Sequence, residues 1–245
     1  MTKSNKADES LLRIHDLRLH ADPSRVVLRP FHLGWQAAHA EGNRALRLVN
    51  DIAGLSEDKV QSEYAKVLAD FGERHWQTEA MFAERWLEVE RSLELKDEQF
   101  SPIREKLIGA YFCHEYTYAA AALMNPSIVP HPDQSGCNGG ALRFVMSLRA
   151  VGEGHISSIV FREGIAFPDG TINLWPQSSF GTAVELDDAS QSDSEGGVMV
   201  HRHEESSLSN TVIFPITEQQ RNGLEDLRLV RFEHAPGDYE WIGTY

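Results

Sequence analysis

The spacing of apolar residues changes near residue 125, and this constrains the fold more than any other feature of the chain. Before that point apolar side chains recur every three or four residues. Leu46, Val49 and Ala53 form one set; Val60, Tyr64, Val67, Leu68 and Phe71 a second; Trp76, Ala80, Ala83 and Leu87 a third; Ile103, Leu107 and Ala110 a fourth. This is the period of a helix buried along one stripe, so four helices are expected. Gly54 and Gly72 stand at helix ends, Ser56 at a helix start, and Ser101-Pro102 supplies an N-cap followed by a proline in the first turn. The fourth helix is expected to run through the alanine-rich stretch to Asn125-Pro126. That makes Cys113 a small core residue and places Tyr111, Phe112, Tyr116 and Tyr118 at helical core spacing. One extended piece, Arg25 to Phe31, precedes the helices; its β-branched residues run into Pro30.

Beyond residue 125 the period is two. Pro126, Pro130 and Pro132 exclude helix, and Gly136-Cys137-Asn138-Gly139-Gly140 is a loop. Leu142, Phe144, Met146 and Leu148 alternate with Arg143, Val145, Ser147 and Arg149. Gly152-Glu153-Gly154 turns the chain into a second strand, His155 to Arg162. A further turn at Pro168-Asp169-Gly170 leads into Thr171 to Trp175. An acidic loop spans Asp187 to Gly197, and short strands follow at Val198–His203, Thr211–Ile216, Leu227–Phe232 and Tyr239–Tyr245. Strands at this spacing predict a sandwich, a barrel or a propeller. The expected class is therefore α+β, with a mainly helical domain over 1–124 and a β domain over 125–245.

The 245 residues carry a formal net charge of −14, which argues against nucleic acid or an acidic membrane as the main partner. No apolar run approaches the roughly 20 residues of a membrane span, and Met1 to Ser10 lacks the apolar core of a secretory signal. Cys113 and Cys137 are too few for a disulfide framework. The expected setting is the cytoplasm.

Among residues able to carry chemistry, Asp226 comes first. On a strand, Glu225 and Asp226 would point to opposite faces, and Arg228 would share the face of Asp226. A carboxyl that moves a proton, beside a guanidinium that holds hydroxyls or phosphate by paired hydrogen bonds, suits sugar chemistry; a solvated surface ion pair is the plainer reading. Arg149 ends a strand beside the turn at Gly152 to His155. This turn is not a dinucleotide loop, because it lacks the third glycine and opens a strand. His201 and His203 share a strand face, but no third ligand follows at metal spacing, so no metal is expected. His114-Glu115 fails the zinc-protease pattern, since position 118 is Tyr. There is no nucleophile elbow and no phosphate-binding loop.

Several segments, taken in order, resemble glycoside hydrolase family 130, the β-mannoside phosphorylases and β-mannosidases. They are Asn125-Pro126-Ser127-Ile128-Val129, Arg143 to Arg149 with Gly152-Glu153-Gly154-His155, Ser206 to Thr211, Gly223-Leu224-Glu225-Asp226-Leu227-Arg228, and Gly243-Thr244-Tyr245. The resemblance is strongest to long bacterial members with a helical N-terminal extension, and its specific motifs lie after residue 124. It implies that the β half forms the first blades of a five-bladed β-propeller. It implies Asp226 as general acid, acting through a sugar hydroxyl, with Asn125, Arg149 and Arg228 contacting an oligosaccharide. It further implies inversion by water or by inorganic phosphate as co-substrate, with no other cofactor. Leu227 departs from the Pro or Ala that the family carries after Glu-Asp. The motif Gly-Thr-Tyr continues in the family into Thr-Ala-Tyr-Asp-Gly and further blades, so the chain reads as a truncated, N-terminal part of such an enzyme. A complementing C-terminal chain or a homo-oligomer is then the expected protein partner. Two other readings stand beside this one: a non-catalytic binding or scaffold protein derived from such an enzyme, and a small metal enzyme using His201 and His203.

Overall fold

The computed structural model describes residues 14–31, 43–96, 98–187 and 197–245. The polar first ten residues and positions 188–196 of the acidic loop lie outside them. The chain forms β1 (Val26–Pro30), then α1 (Arg44–Ala53), α2 (Glu57–Phe71), α3 (Thr78–Leu93) and α4 (Pro102–Tyr111). Strands follow: β2 (Cys113–Thr117), β3 (Ala122–Pro130), β4 (Leu142–Val151), β5 (Ser157–Ala166), β6 (Ile172–Leu174) and β7 (Phe180–Ala183). The last are β8 (Glu185–Leu186), β9 (Val200–His201), β10 (Thr211–Ile213), β11 (Arg228–Ala235) and β12 (Asp238–Thr244).

Capping follows the local sequence. Asn43 accepts from the backbone N–H groups of Ala45 and Leu46 at the start of α1, and Ser101 accepts from that of Arg104 ahead of Pro102 in α4. Among the described residues no helix is long and apolar enough to cross a membrane.

Eight strands form one mixed sheet in the order β2-β1-β7-β10-β5-β4-β3, with β6 added on β5. The pairs β1/β7 and β7/β10 are parallel, and the others are antiparallel. This overturns the expected class of a separate helical N-terminal domain followed by the opening blades of a propeller. The described strands close into no propeller. The helices are also not set apart, because β1 and β2, on either side of them in sequence, belong to the sheet. Val26 and Val27 pair with Phe180 and Gly181 of β7, across most of the chain. Successive residues on a strand face opposite ways. Accordingly Val27 joins the sheet cluster with Tyr116, Leu148, Val160 and Val212, while Leu28 joins the helical cluster with Phe82, Val89, Leu107 and Phe112. One strand thus forms a wall of both cores.

Two further expectations are corrected. The fourth helix stops at Tyr111, and Cys113–Thr117 pairs antiparallel with β1. Helical spacing over Cys113–Thr117 yields to a strand partner that offers a full ladder, and the alanine run from Ala119 to Ala121 lies in the turn that leads to β3. Cys113 is thus a strand residue, and burial pushes its thiol up to about 12. The stripe assigned to α3 is also out of phase. Ala80 and Leu87 are exposed, while Phe82, Arg85, Trp86, Val89 and Leu93 are buried. Trp76 precedes the helix, in the turn after α2.

Helices α3 and α4 come into close backbone contact at Gly109. A methyl group on Gly109 would overlap the carbonyl oxygen of Phe82, a backbone atom that cannot swing aside. Gly109→Ala is therefore expected to destabilise the chain by about 3 kcal/mol, the upper end of ordinary overpacking, read as a lowered urea midpoint at unchanged slope.

Candidate functional site

Three sequence features meet at one end of β3, β4 and β5. The first is the bulge at Asn125-Pro126. Pro126 has no N–H to give to a ladder, and the β3/β4 register shifts between Met124 and Ser127. Asn125 takes a left-handed φ of 55°. The second is Arg149 on β4, opposite Met124 and therefore beside this bulge. The third is the segment from Gly223 to Leu227, which lies over the start of β5.

Ser157 anchors that segment. It is 2% exposed, and its carbonyl accepts from the backbone N–H of Leu224 at 3.1 Å. Gly223, at φ 111°, passes so close that an added Cβ would lie 2.9 Å from the Cβ of Ser157. The Ser157 hydroxyl also accepts from Nε of Arg149 at 3.0 Å. One buried serine therefore fixes both the loop and the arginine.

The guanidinium of Arg149 meets both acids. Nη2 donates to Oε1 of Glu225 at 2.6 Å, and Nη1 lies 3.5 Å from Oδ1 of Asp226. Strand alternation predicted opposite directions for the two carboxylates. The structure differs because Asp226 lies ahead of β11 with φ at 48°, so the chain is not extended there. Asp and Asn accept this conformation more readily than most residues. Arg228 does not share its charge with Asp226 as alternation suggested. Its Nη1 donates to the carbonyl oxygens of Pro126 at 3.0 Å and Asn125 at 3.4 Å. Ser127 fastens the same junction by accepting from the N–H of Leu229 at 2.9 Å.

The patch therefore gathers Asn125, Arg149, Asp226 and Arg228, the residues singled out by sequence, and adds Glu225 and Ser157. Of the four non-glycine residues at positive φ among the described residues, three border it: Asn125, His155 and Asp226. Such conformations gather at functional sites more often than elsewhere. Arg149 and Asp226 differ in exposure, with side chains 21% and 47% accessible. Oδ1 of Asp226 is sealed from solvent and has no hydrogen-bond partner, which leaves Oδ2 as the oxygen that faces outward. The arrangement can hold a polar ligand and present one carboxyl oxygen to it.

Ser157 was missed in the sequence, although the pair Ser157-Ser158 inside the apolar run Ile156 to Phe161 was a signal for buried polar contacts. Ser157→Ala is expected to lower stability by about 2 kcal/mol, the scale of a hydrogen bond to a charged group, in urea denaturation.

His201 and His203 both face Glu185, with Nε2 to carboxylate distances of 3.0 and 3.8 Å. Among the described residues no three His, Cys, Asp or Glu side chains are arranged to hold a metal ion. Comparison with protein-family models, with curated proteins and with solved structures found no match.

Proposed function

We propose that the patch around Asp226 handles a β-mannoside, with Asp226 as general acid and Arg149, Arg228 and Asn125 positioning the sugar, in a cytoplasmic protein. The mannosyl group would pass with inversion to water or to inorganic phosphate. The observation that carries the reading is the unequal grip of Arg149. Its short bond goes to Glu225, and its contact with Asp226, at 3.5 Å, is longer than a hydrogen bond. Glu225 thus serves as the structural counter-ion. Asp226 keeps an outward oxygen able to carry a proton to a glycosidic oxygen, directly or through a sugar hydroxyl. The ordered motifs that resemble family 130 supply the substrate class.

The reading is tested by incubating the chain with β-1,4-mannosyl-glucose, in which the only mannose is the one transferred, with and without phosphate, and following the anomeric protons by NMR. Free mannose appearing first as the α-anomer, or α-mannose 1-phosphate appearing only with phosphate, is the expected product. A β-configured first product contradicts inversion.

A second reading, a non-catalytic binding protein, is favoured by one feature. The outer face of the β11–β12 hairpin leaves Val230, Phe232 and Ile242 exposed, and among the described strands β11 and β12 pair only with each other. A complementing chain or a second copy would cover such a face. Saccharide binding without turnover would support this reading.

A further inference from the structure

A second cleft lies away from the Asp226 patch, between the turn that joins α2 to α3 and the segment around β7. It centres on Trp76, a residue 51% exposed. Leaving so much of a tryptophan in water forgoes burial that would stabilise the chain. Yet the ring is held in place. Its Nε1 donates to the hydroxyl of Thr182 at 3.4 Å, and the imidazole of His203 leans against it with centroids 4.2 Å apart. Thr182 is 6% exposed and sits on β7, in the middle of the main sheet. The turn behind the ring is fixed as well. Arg74 and His75 both bind Oε1 of Glu115, at 2.9 and 2.8 Å. The indole is therefore a rigid, half-open plate.

Around it the polar groups have bonding capacity to spare. Gln77, Glu205 and Asn210 line the same cleft. The Gln77 amide and the Glu205 carboxylate make no hydrogen bond among the described residues. Asn210 uses only its Oδ1, accepting from the backbone N–H of Ser178 at 3.1 Å, which leaves Nδ2 to donate. The cleft offers about 90 Å³, several times the roughly 10–15 Å³ that one water needs. That accommodates the hydroxyl-bearing edge of one pyranose ring, with the rest lying across the rim.

We infer that this cleft is a saccharide-binding site, separate from Asp226, in which the apolar face of a pyranose ring stacks on Trp76 and its hydroxyls bond Gln77, Glu205 and Asn210. A fixed aromatic plate contributes contact area at little entropic cost, and planar amide and carboxylate groups match vicinal hydroxyls. The inference stands on this cleft alone and does not require Asp226 to be catalytic.

The test is a titration of the ¹⁵N-labelled chain with cellobiose and with β-1,4-mannobiose, followed at the Trp76 indole and the Gln77 side-chain amide. Glycerol serves as a polyol without a ring face. Saturable shifts at both reporters with at least one disaccharide, and none with glycerol, are expected. Affinity read at Gln77 should fall at least about tenfold in Trp76→Ala, equivalent to 1.4 kcal/mol, and be unchanged in Asp226→Asn. Should Trp76→Ala fail to fold, Glu205→Gln, an exposed change, should weaken binding several-fold. Reporters that stay still, or that respond equally to glycerol, overturn the inference. Binding lost in Asp226→Asn but kept in Trp76→Ala also overturns it while leaving the function proposed for Asp226 intact.

Discussion

Replacing Arg85 with alanine is expected to remove about 3–5 kcal/mol of stability, the cost of breaking a buried charge network. Arg85 is only 2% exposed on α3. Its Nε donates to the carbonyl of Phe112 at 3.0 Å, its Nη2 to that of Phe31 at 2.9 Å, and its Nη1 pairs with Glu88. Phe31 directly follows β1, and Phe112 directly precedes β2. One guanidinium thus ties a helix to the chain where it leaves the sheet and where it returns. Alanine would leave both carbonyls without this donor and Glu88 without its cation, and would open a cavity beneath α3. Arg85→Lys should recover only part of the loss, because an ammonium lacks the fixed fork that reaches carbonyls in two directions. Urea denaturation followed by circular dichroism and tryptophan fluorescence measures this. A single transition moved to lower urea in both signals is expected, because helices and sheet share Arg85 and the two faces of β1. An unchanged midpoint, or loss of helix alone, would show that the helices stand apart from the sheet.

Arg85 also shows what the sequence concealed. A charged residue at a core position shifted the apparent stripe of α3 onto Ala80 and Leu87, which the structure leaves exposed. Local signals served well where the cause is local. Ser101 and Pro102 marked a helix start, and the alternation from Leu142 onward marked β4 with β5 paired to it through a turn. Distant pairing was not visible. β1 finds β7 across the whole helical segment, and no pattern within Val26–Pro30 names that partner. The same distance effect turned Cys113–Thr117 from expected helix into strand. At the candidate site the residue types were legible but their directions were not. Alternation put Glu225 and Asp226 on opposite faces, whereas the left-handed backbone at Asp226 brings both to Arg149. The anchoring role of Ser157 depends on a loop dozens of residues later in the chain.

The function proposed here rests on the proton of Asp226, and Asp226→Asn removes that proton with little else. Asparagine has nearly the same shape and accepts the same left-handed backbone, so the φ of 48° is preserved. Arg149 retains its 2.6 Å bond to Glu225, so the guanidinium stays in place. Folding should change little, since the Asp226 carboxylate is half exposed and makes no hydrogen bond at Oδ1. Loss of general acid catalysis typically costs about 10²–10⁴ in rate. The measurement that bears most directly on the account is therefore β-mannoside turnover by Asp226→Asn against the unaltered chain, with both melting curves recorded on the same preparations. If Asp226 is the general acid, turnover falls by at least about 100-fold with a melting midpoint close to that of the parent chain. Full turnover in Asp226→Asn would contradict the account and remove Asp226 from the chemistry.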